Sequence, residues 1–125
     1  MFIYDEPMEF SIMWKDDVIA DVYISAKELK VCQDSSHPRK VFYKEDSQID
    51  RFDILWFVED QIFDEHNARR NEILEELGLE EYSVWDIFYK TRGISFRNKY
   101  WAKFKGDDFE YERDITTRKF MHKIN

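Results

Sequence analysis

Glycine, proline and cysteine are scarce in this sequence, and each scarcity excludes a class of protein. The 125 residues include three glycines, two prolines and one cysteine, against 11 Phe, 7 Tyr and 4 Trp. This composition argues against a disordered chain, because the many aromatic residues bury enough apolar surface to offset the entropy lost on folding. The single cysteine, Cys32, excludes an intramolecular disulfide and is typical of a reducing compartment.

Long apolar runs are also missing. No segment approaches the roughly 18 apolar residues that suggest a membrane span, and residues 1–6 lack the basic and apolar regions of a secretory signal. The length is that of one domain. We therefore expect a single cytoplasmic domain over residues 1–125 that does not associate with a membrane.

Charge is distributed unevenly along the chain. Residues 1–88 contain 22 acidic and 9 basic residues, residues 89–125 contain 5 acidic and 10 basic residues, and the net charge is -8. Such asymmetry favours an interaction role, because charge governs association more than it governs the fold. Alternatively, the acidic and basic parts attract each other across the folded surface.

Two-residue periodicity, which is typical of strands, dominates the first third of the chain. It predicts strands at 10–14, 18–24, 28–32 and 40–43, with a later strand at 100–105. The short polar segment 15–17 predicts a hairpin between the first two strands. Pro38 restricts its own backbone and that of His37, which predicts a loop over 35–38.

Around residue 50 the apolar spacing changes to the three- and four-residue interval of a helix. Ser47 or Asp50 is in position to cap this helix. The spacing of Phe52, Leu55 and Trp56 predicts that these side chains face the core. Ile54, Phe57 and Val58 widen the apolar face, which predicts a helix buried on most sides.

Three further helices are predicted at 68–77, 84–91 and 115–124. Gly78 is placed to end the first of them in a left-handed conformation, and Ser83 with Asp86 forms a capping-box pattern at the second. The elements together predict the α+β class: a small antiparallel sheet packed against three to four helices. Residues 1–46 are expected to be mainly β, 47–93 mainly α, and 94–125 a strand plus a terminal helix. One core is predicted from Trp14, Phe52, Leu55, Trp56, Ile73, Leu74, Leu77, Trp85 and Phe88.

Motifs that carry chemistry are few. Three isolated glycines cannot form a phosphate-binding loop. Cys32 and the histidines His37, His66 and His122 do not have the spacing of zinc ligands, and Cys32 with His37 is not the usual arrangement of a nucleophile and its base. We therefore expect no enzyme activity, no metal and no cofactor.

An acidic set surrounds the helix predicted near residue 50. Its members are Asp46, Asp50, Asp53, Glu59, Asp60, Asp64 and Glu65. The five aspartates among them recur at intervals of three and four, which predicts one acidic helix side opposite Phe52 and Trp56. A dense acidic surface competes for sites that bind nucleic acid, because the same Lys and Arg side chains attract any polyanion. These residues are the candidate contacts with a protein partner; the alternative is a surface that only keeps the chain soluble.

A basic and aromatic stretch follows. Its basic residues are Lys90, Arg92, Arg97, Lys99, Lys103 and Lys105, with no acidic residue between 90 and 106. Strand alternation predicts that Tyr100, Ala102 and Phe104 face inward. It predicts an outward surface of Lys99, Trp101, Lys103 and Lys105. Basic residues around an exposed aromatic ring suit single-stranded nucleic acid or an acidic protein groove; the alternatives are a lysine-guarded edge strand and pairing with the acidic part of the chain.

Three short motifs resemble the amino-terminal region of HipA-like proteins from Gram-positive bacteria and their mobile elements. They are Ile-Leu-Glu-Glu-Leu-Gly-Leu at 73–79, Gly-Ile-Ser at 93–95 and Tyr-Trp at 100–101. The similarity covers roughly residues 54–104. The turn at 64–67 lacks the proline of that family, and the kinase body is absent. The resemblance therefore implies a shared small module and not a shared activity.

Size, acidity and aromatic density predict a non-enzymatic interaction protein. The most specific hypothesis is a small phage or mobile-element protein that inhibits a host protein, such as a nuclease of a CRISPR-type defence system, by acidic-surface competition. Two alternatives stay open: a regulatory partner of a HipA-like toxin–antitoxin module, and a nucleic-acid binder through strand 96–105.

Overall fold

The computed structural model describes residues 7–118 and residue 120. Four strands form one antiparallel sheet: β1 (Met8–Trp14), β2 (Asp17–Ile24), β3 (Leu29–Gln33) and β4 (Tyr100–Phe104), in the spatial order β3-β2-β1-β4. The helices α1 (Arg51–Asp60), α2 (Arg70–Glu76) and α3 (Val84–Thr91) lie between β3 and β4 in sequence. A 3-10 turn (Asp46–Gln48) precedes α1, and a π-helical turn (Tyr111–Ile115) follows β4. The predicted α+β class is confirmed.

The first two strands pair as predicted. Phe10 lies opposite Val22 and Ile12 opposite Ala20, which puts the apolar residues of both strands on one face. The strand predicted at 40–43 is wrong, because this segment has no ladder partner and is irregular. It is tied to β3 through side chains instead: the Gln33 amide donates to the Lys44 carbonyl at 3.1 Å.

The inner face of the sheet packs against α1 and α3 to form the main core. Its buried members include Phe10, Ile12, Val22, Ile24, Phe104, Ile54, Phe57, Val58, Trp85 and Phe88. Phe88 contacts Phe10 and Phe57 edge to face, with ring centres 5.3 and 6.3 Å apart. Burying such rings supplies much of the hydrophobic stabilisation of a small domain.

Part of the outer face of the sheet is covered by the chain that follows β4. Phe109, Ile115 and Phe120 pack over Met13 and Trp101 there. Trp101 is 0% exposed, and its indole N–H donates to the Lys15 carbonyl at 2.6 Å. Strand alternation assigned Trp101 to the correct face, but the prediction that its side chain contacts solvent is wrong.

Helix α1 buries only part of the broad apolar face that was predicted. Ile54, Phe57 and Val58 are buried, whereas Phe52 is 80% and Trp56 is 77% exposed. The apolar residues of α1 occur on every side of the helix, so their spacing does not identify the side that faces the core. The predicted contribution of Phe52 and Trp56 to the core is therefore wrong.

Helices α2 and α3 share a separate apolar cluster built from Leu74, Leu77 and Ile87. Gly78 ends α2 with a φ of 74°, and the Leu79 N–H donates to the Leu74 carbonyl at 2.9 Å, as the predicted left-handed cap requires. The predicted core therefore divides: Trp85 and Phe88 lie in the main cluster, and Leu74 and Leu77 in this one. Trp14, Leu55 and Ile73, also predicted for the core, are half-buried.

Two helix predictions need correction. Ser83 precedes α3, but its side chain makes no capping hydrogen bond, so the predicted capping box with Asp86 is wrong. The terminal helix predicted over 115–124 is interrupted, because Arg118 has a φ of 59° and residues 116–118 form a turn. Residues 119 and 121–124 of that prediction, including His122, lie outside the described residues.

Candidate functional site

The start of α1 is fixed by a set of reciprocal polar contacts. The Asp50 carboxylate accepts from the Asp53 N–H, and the Asp53 carboxylate accepts from the Asp50 N–H, both at 3.0 Å. This capping box satisfies two backbone donors that a helix end otherwise leaves without partners. The Lys44 ammonium then donates to both oxygens of Asp53 at 2.9 and 3.1 Å. Segment 40–44 is thereby tied to the first turn of α1.

A groove of about 450 Å³ lies between segment 40–44, α1 and the start of β4. Lys44 and Asp53 line it, and so do Trp56 and Asp60 of α1. The remaining contacts come from Lys40, Val41, Phe42, Tyr43, Phe57, Gln61, Asn98 and Tyr100. We call this depression the α1 groove.

The floor of the α1 groove is braced by the buried amide of Gln61. Its N–H₂ group donates to the carbonyl oxygens of Gly93 at 2.8 Å and Tyr100 at 3.1 Å. The Asn98 amide donates back to the Gln61 side-chain oxygen at 2.9 Å. A buried amide with several partners is rigid, since losing any of them leaves a polar group unsatisfied. These hydrogen bonds therefore hold the end of α1 against the start of β4.

Three large aromatic side chains lie exposed at the α1 groove and on the adjoining helix face. Tyr43, at the groove, is 86% exposed; Trp56 lines the same groove, and Phe52 lies four residues before Trp56 on α1. Residues four apart share one helix face. Large exposed apolar patches are typical of interaction sites, so these rings form the candidate contact surface.

Electrostatics at the groove are dominated by the Lys44–Asp53 pair. Partial burial opposes ionisation of Asp53, but the hydrogen bonds from the Asp50 N–H and from Lys44 outweigh it and hold the pKa of Asp53 below its usual range. The hydrogen bond to Asp53 raises the pKa of Lys44. Burial raises the pKa of Tyr100 on the opposite wall, so its phenol is neutral at physiological pH.

Three residues of the predicted acidic set have structural roles. Asp50 and Asp53 form the capping box, and Asp46 accepts from the backbone N–H of Gln33 at 3.3 Å and from its side-chain amide at 3.2 Å. Their carboxylates are committed to holding α1 and β3 in place. The prediction of one continuous acidic helix side is wrong, because Asp46 precedes α1 and the helix ends at Asp60.

The other four acidic residues gather around the end of α1. Glu59 and Asp60 are exposed on the last turn, and Asp64 and Glu65 are exposed in the turn that follows. Burial raises the pKa of Tyr82, and the negative charges of Asp64, Glu65 and Glu59 raise it further. Asp60 lines the α1 groove together with Trp56, so this carboxylate lies beside the Trp56 ring and not opposite it.

The predicted basic surface does not form as one unit. Trp101 is buried, Lys103 is half-buried on the outer sheet face, and Lys105 lies 3.7 Å from a Glu9 carboxylate oxygen. Lys99 is exposed immediately before β4 and lines a different surface depression from Lys103 and Lys105. Arg92, of the same stretch, is buried against Asp107.

The part of the chain that the structure describes contains no group of three or more His, Cys, Asp or Glu side chains arranged to hold a metal ion. Cys32 is exposed on β3, and the His37 Nε2 atom lies 3.1 Å from a carboxylate oxygen of Asp17. Across the same residues, no helix has both the length and the apolar character that crossing a membrane demands.

Comparison with known proteins found no match among family models, curated proteins or solved structures. The resemblance of residues 54–104 to the HipA-like module therefore stays a prediction.

Proposed function

We propose that this protein is a non-enzymatic interaction protein that binds a partner protein through the exposed face of α1 and the α1 groove. The observation that carries the proposal is the exposure of Tyr43, Phe52 and Trp56 around one rigid helix. Aromatic side chains are enriched at the centres of protein interfaces, where they provide most of the binding free energy.

The face is preorganised for binding. The capping box and the Lys44–Asp53 pair fix the start of α1. The hydrogen bonds of Gln61, the residue after α1, fix its end. Binding therefore costs little conformational entropy of the backbone, which leaves more of the contact energy to appear as affinity.

Charge complementarity indicates the chemistry of the partner. Glu59, Asp60, Asp64 and Glu65 place negative charge around the end of α1, beside Trp56. Such a surface is attracted to basic grooves, which is the property of nucleic-acid-binding proteins. We therefore propose that the partner is a nucleic-acid-binding protein and that this chain occupies its nucleic-acid site. An inhibitor of a defence nuclease, carried by a phage or mobile element, is the most specific form of this proposal.

The test uses the partner recovered by affinity capture from a host lysate. The double variant Glu59→Lys, Glu65→Lys reverses two exposed charges without touching the capping box. We expect the double variant to associate more slowly with the recovered partner. Binding of the wild type should weaken steeply with salt, because long-range attraction between exposed charges is screened beyond about 8 Å at physiological ionic strength. Association rates are measured at two salt concentrations by surface plasmon resonance.

A matched double variant controls for net charge. Glu28→Lys with Glu75→Lys changes the total charge equally at exposed positions outside α1 and its groove. We expect the control to associate at nearly the wild-type rate. Equal slowing by both double variants would show that only net charge matters, and would count against the α1 face as the contact.

A further inference from the structure

A second groove adjoins the first at Asn98 and Tyr100, which line both. It has a volume of about 360 Å³ and lies between loop 94–99 and the turn after residue 111. Its charged side chains are Arg97, Lys99 and Arg118, and no carboxylate occurs among the described residues that line it. We call it the basic groove. A concave surface of one charge sign is unexpected on a chain whose net charge is -8.

Two of the three cations of the basic groove are available to an anion. Arg97 is paired with the Asp60 carboxylate at 3.5 Å and also donates to the Asp60 backbone carbonyl. Neither Lys99 nor Arg118 takes part in an ion pair between described residues. After Arg118 the sequence adds Lys119, His122 and Lys123 and no acidic residue up to 125.

An aromatic ring completes the site. Phe96 is 94% exposed, and the Arg118 guanidinium lies 4.6 Å from the ring centre, over one face. The Ser95 hydroxyl accepts from the Arg97 N–H at 3.1 Å, which shapes the tight turn that presents Phe96. The high exposure of the ring leaves its second face open to a planar ligand.

We propose that the basic groove binds single-stranded nucleic acid. One base stacks on the open face of Phe96, and Lys99 and Arg118 contact the flanking phosphates. Stacking platforms combined with basic grooves are the general means of binding single strands without sequence preference. An acidic peptide would use the same cations but would gain little from the bare ring. The inference does not rest on the proposed function, because it concerns a different ligand.

The site also differs from the one that the sequence predicted. Strand alternation predicted an outward platform at Trp101, which is buried and cannot stack on a base. Of the predicted outward surface only Lys99 lines the basic groove, together with Arg97 of the same basic stretch. Phe96 takes the role of the aromatic platform.

Fluorescence anisotropy of labelled oligothymidylate and oligouridylate tests the proposal and separates DNA from RNA. We expect Phe96→Ala to weaken binding of the preferred strand by about 5- to 150-fold, the range that corresponds to the loss of one base–aromatic stack. Phe96→Tyr keeps a ring and should restore most of the affinity. Lys99→Gln should reduce the slope of log affinity against log salt by about 0.7, the value for one phosphate contact on a single strand.

A second lysine variant serves as the control for the loss of charge. Lys27→Gln removes the same charge from the exposed loop between β2 and β3 and should leave both affinity and salt slope unchanged. Binding of neither oligonucleotide at low salt would overturn the proposal. So would an unchanged affinity in Phe96→Ala, or a polyglutamate peptide that binds as tightly as the oligonucleotides, since either result would describe a general anion site.

Discussion

Arg92 combines a buried charge with a complete set of partners. Its guanidinium donates to both carboxylate oxygens of Asp107 at 2.8 and 2.9 Å and lies 4.2 Å from the centre of the Tyr89 ring. Asp107 also accepts from the Phe104 N–H at 2.9 Å. A bidentate pair of this kind fixes geometry as well as charge, so it connects the end of α3 to the turn after β4.

Asp107→Ala tests the importance of that pair. The substitution leaves a buried guanidinium without its carboxylate, so we expect the free energy of unfolding to fall by about 3–5 kcal/mol. The matched variant Glu72→Ala removes the partner of Arg69 from an exposed pair and should cost at most about 1 kcal/mol. Urea unfolding measures both. Similar losses in the two variants would mean that the burial of Arg92 does not increase the contribution of its ion pair to the free energy of unfolding.

The sequence could not reveal this role of Arg92. The two partners are 15 residues apart, and no local spacing connects them. Arg92 therefore looked like one more member of a basic surface. Phe96 lies within the stretch 96–105 that was predicted as a nucleic-acid binder, but its exposure was not predicted. That exposure depends on the loop at 94–99, which has no periodicity to indicate which side chains face solvent.

At the scale of elements, α1 depends on ionised Asp53. The carboxylate receives hydrogen bonds from the Asp50 N–H and from Lys44, and its pKa is lowered in the folded protein. Folding therefore favours the ionised form. The resulting stabilisation is present above the pKa of the unfolded chain, about 3.9, and is lost as the pH falls through the lower folded value.

The variant Asp53→Asn tests this linkage. It should be less stable than the wild type near neutral pH, because it loses the charged partner of Lys44 and part of the cap. The difference in the free energy of unfolding should shrink as the pH falls below the pKa of the unfolded carboxyl and through the lower folded value, where the wild-type carboxylate is also neutralised. Denaturant unfolding at a series of pH values gives this difference. A gap that stays constant over that range would contradict the proposed contribution of the ionised form.

Elements were easier to predict from sequence than the faces that they bury. The β1–β2 hairpin and helix 84–91 have clear periodicities, and both form as predicted. Helix α1 has apolar residues on all sides, so only the tertiary packing of Ile54 and Phe57 decides that Phe52 and Trp56 remain exposed. The segment at 40–43 has strand-like residues, but it does not pair with the outer edge of β3, and the Gln33 side chain connects the two segments instead.

At the scale of the whole molecule, acidic and basic side chains form separate local surfaces. The acidic group around the end of α1 and the basic groove are close enough to share the Asp60–Arg97 pair. The expectation that oppositely charged parts of the chain attract each other therefore holds for this pair, while Glu59 and Lys99 remain exposed for partners. The fold class followed from periodicity, whereas the candidate site depends on side chains brought together from three distant segments.

We propose that the exposed face of α1 is the contact with a partner protein. The most direct measurement is the Kd of the wild type and of Trp56→Ala for the recovered partner, by isothermal titration calorimetry. Trp56 is exposed, so its loss should leave the free energy of unfolding nearly unchanged. An interface anchor of this type contributes about 2 kcal/mol or more, so we predict a Kd raised at least about 30-fold. The control Val18→Ala trims an exposed apolar side chain outside the groove and should bind as the wild type does. A folded Trp56→Ala variant with an unchanged Kd would contradict the account, because the contact would then lie elsewhere on the molecule.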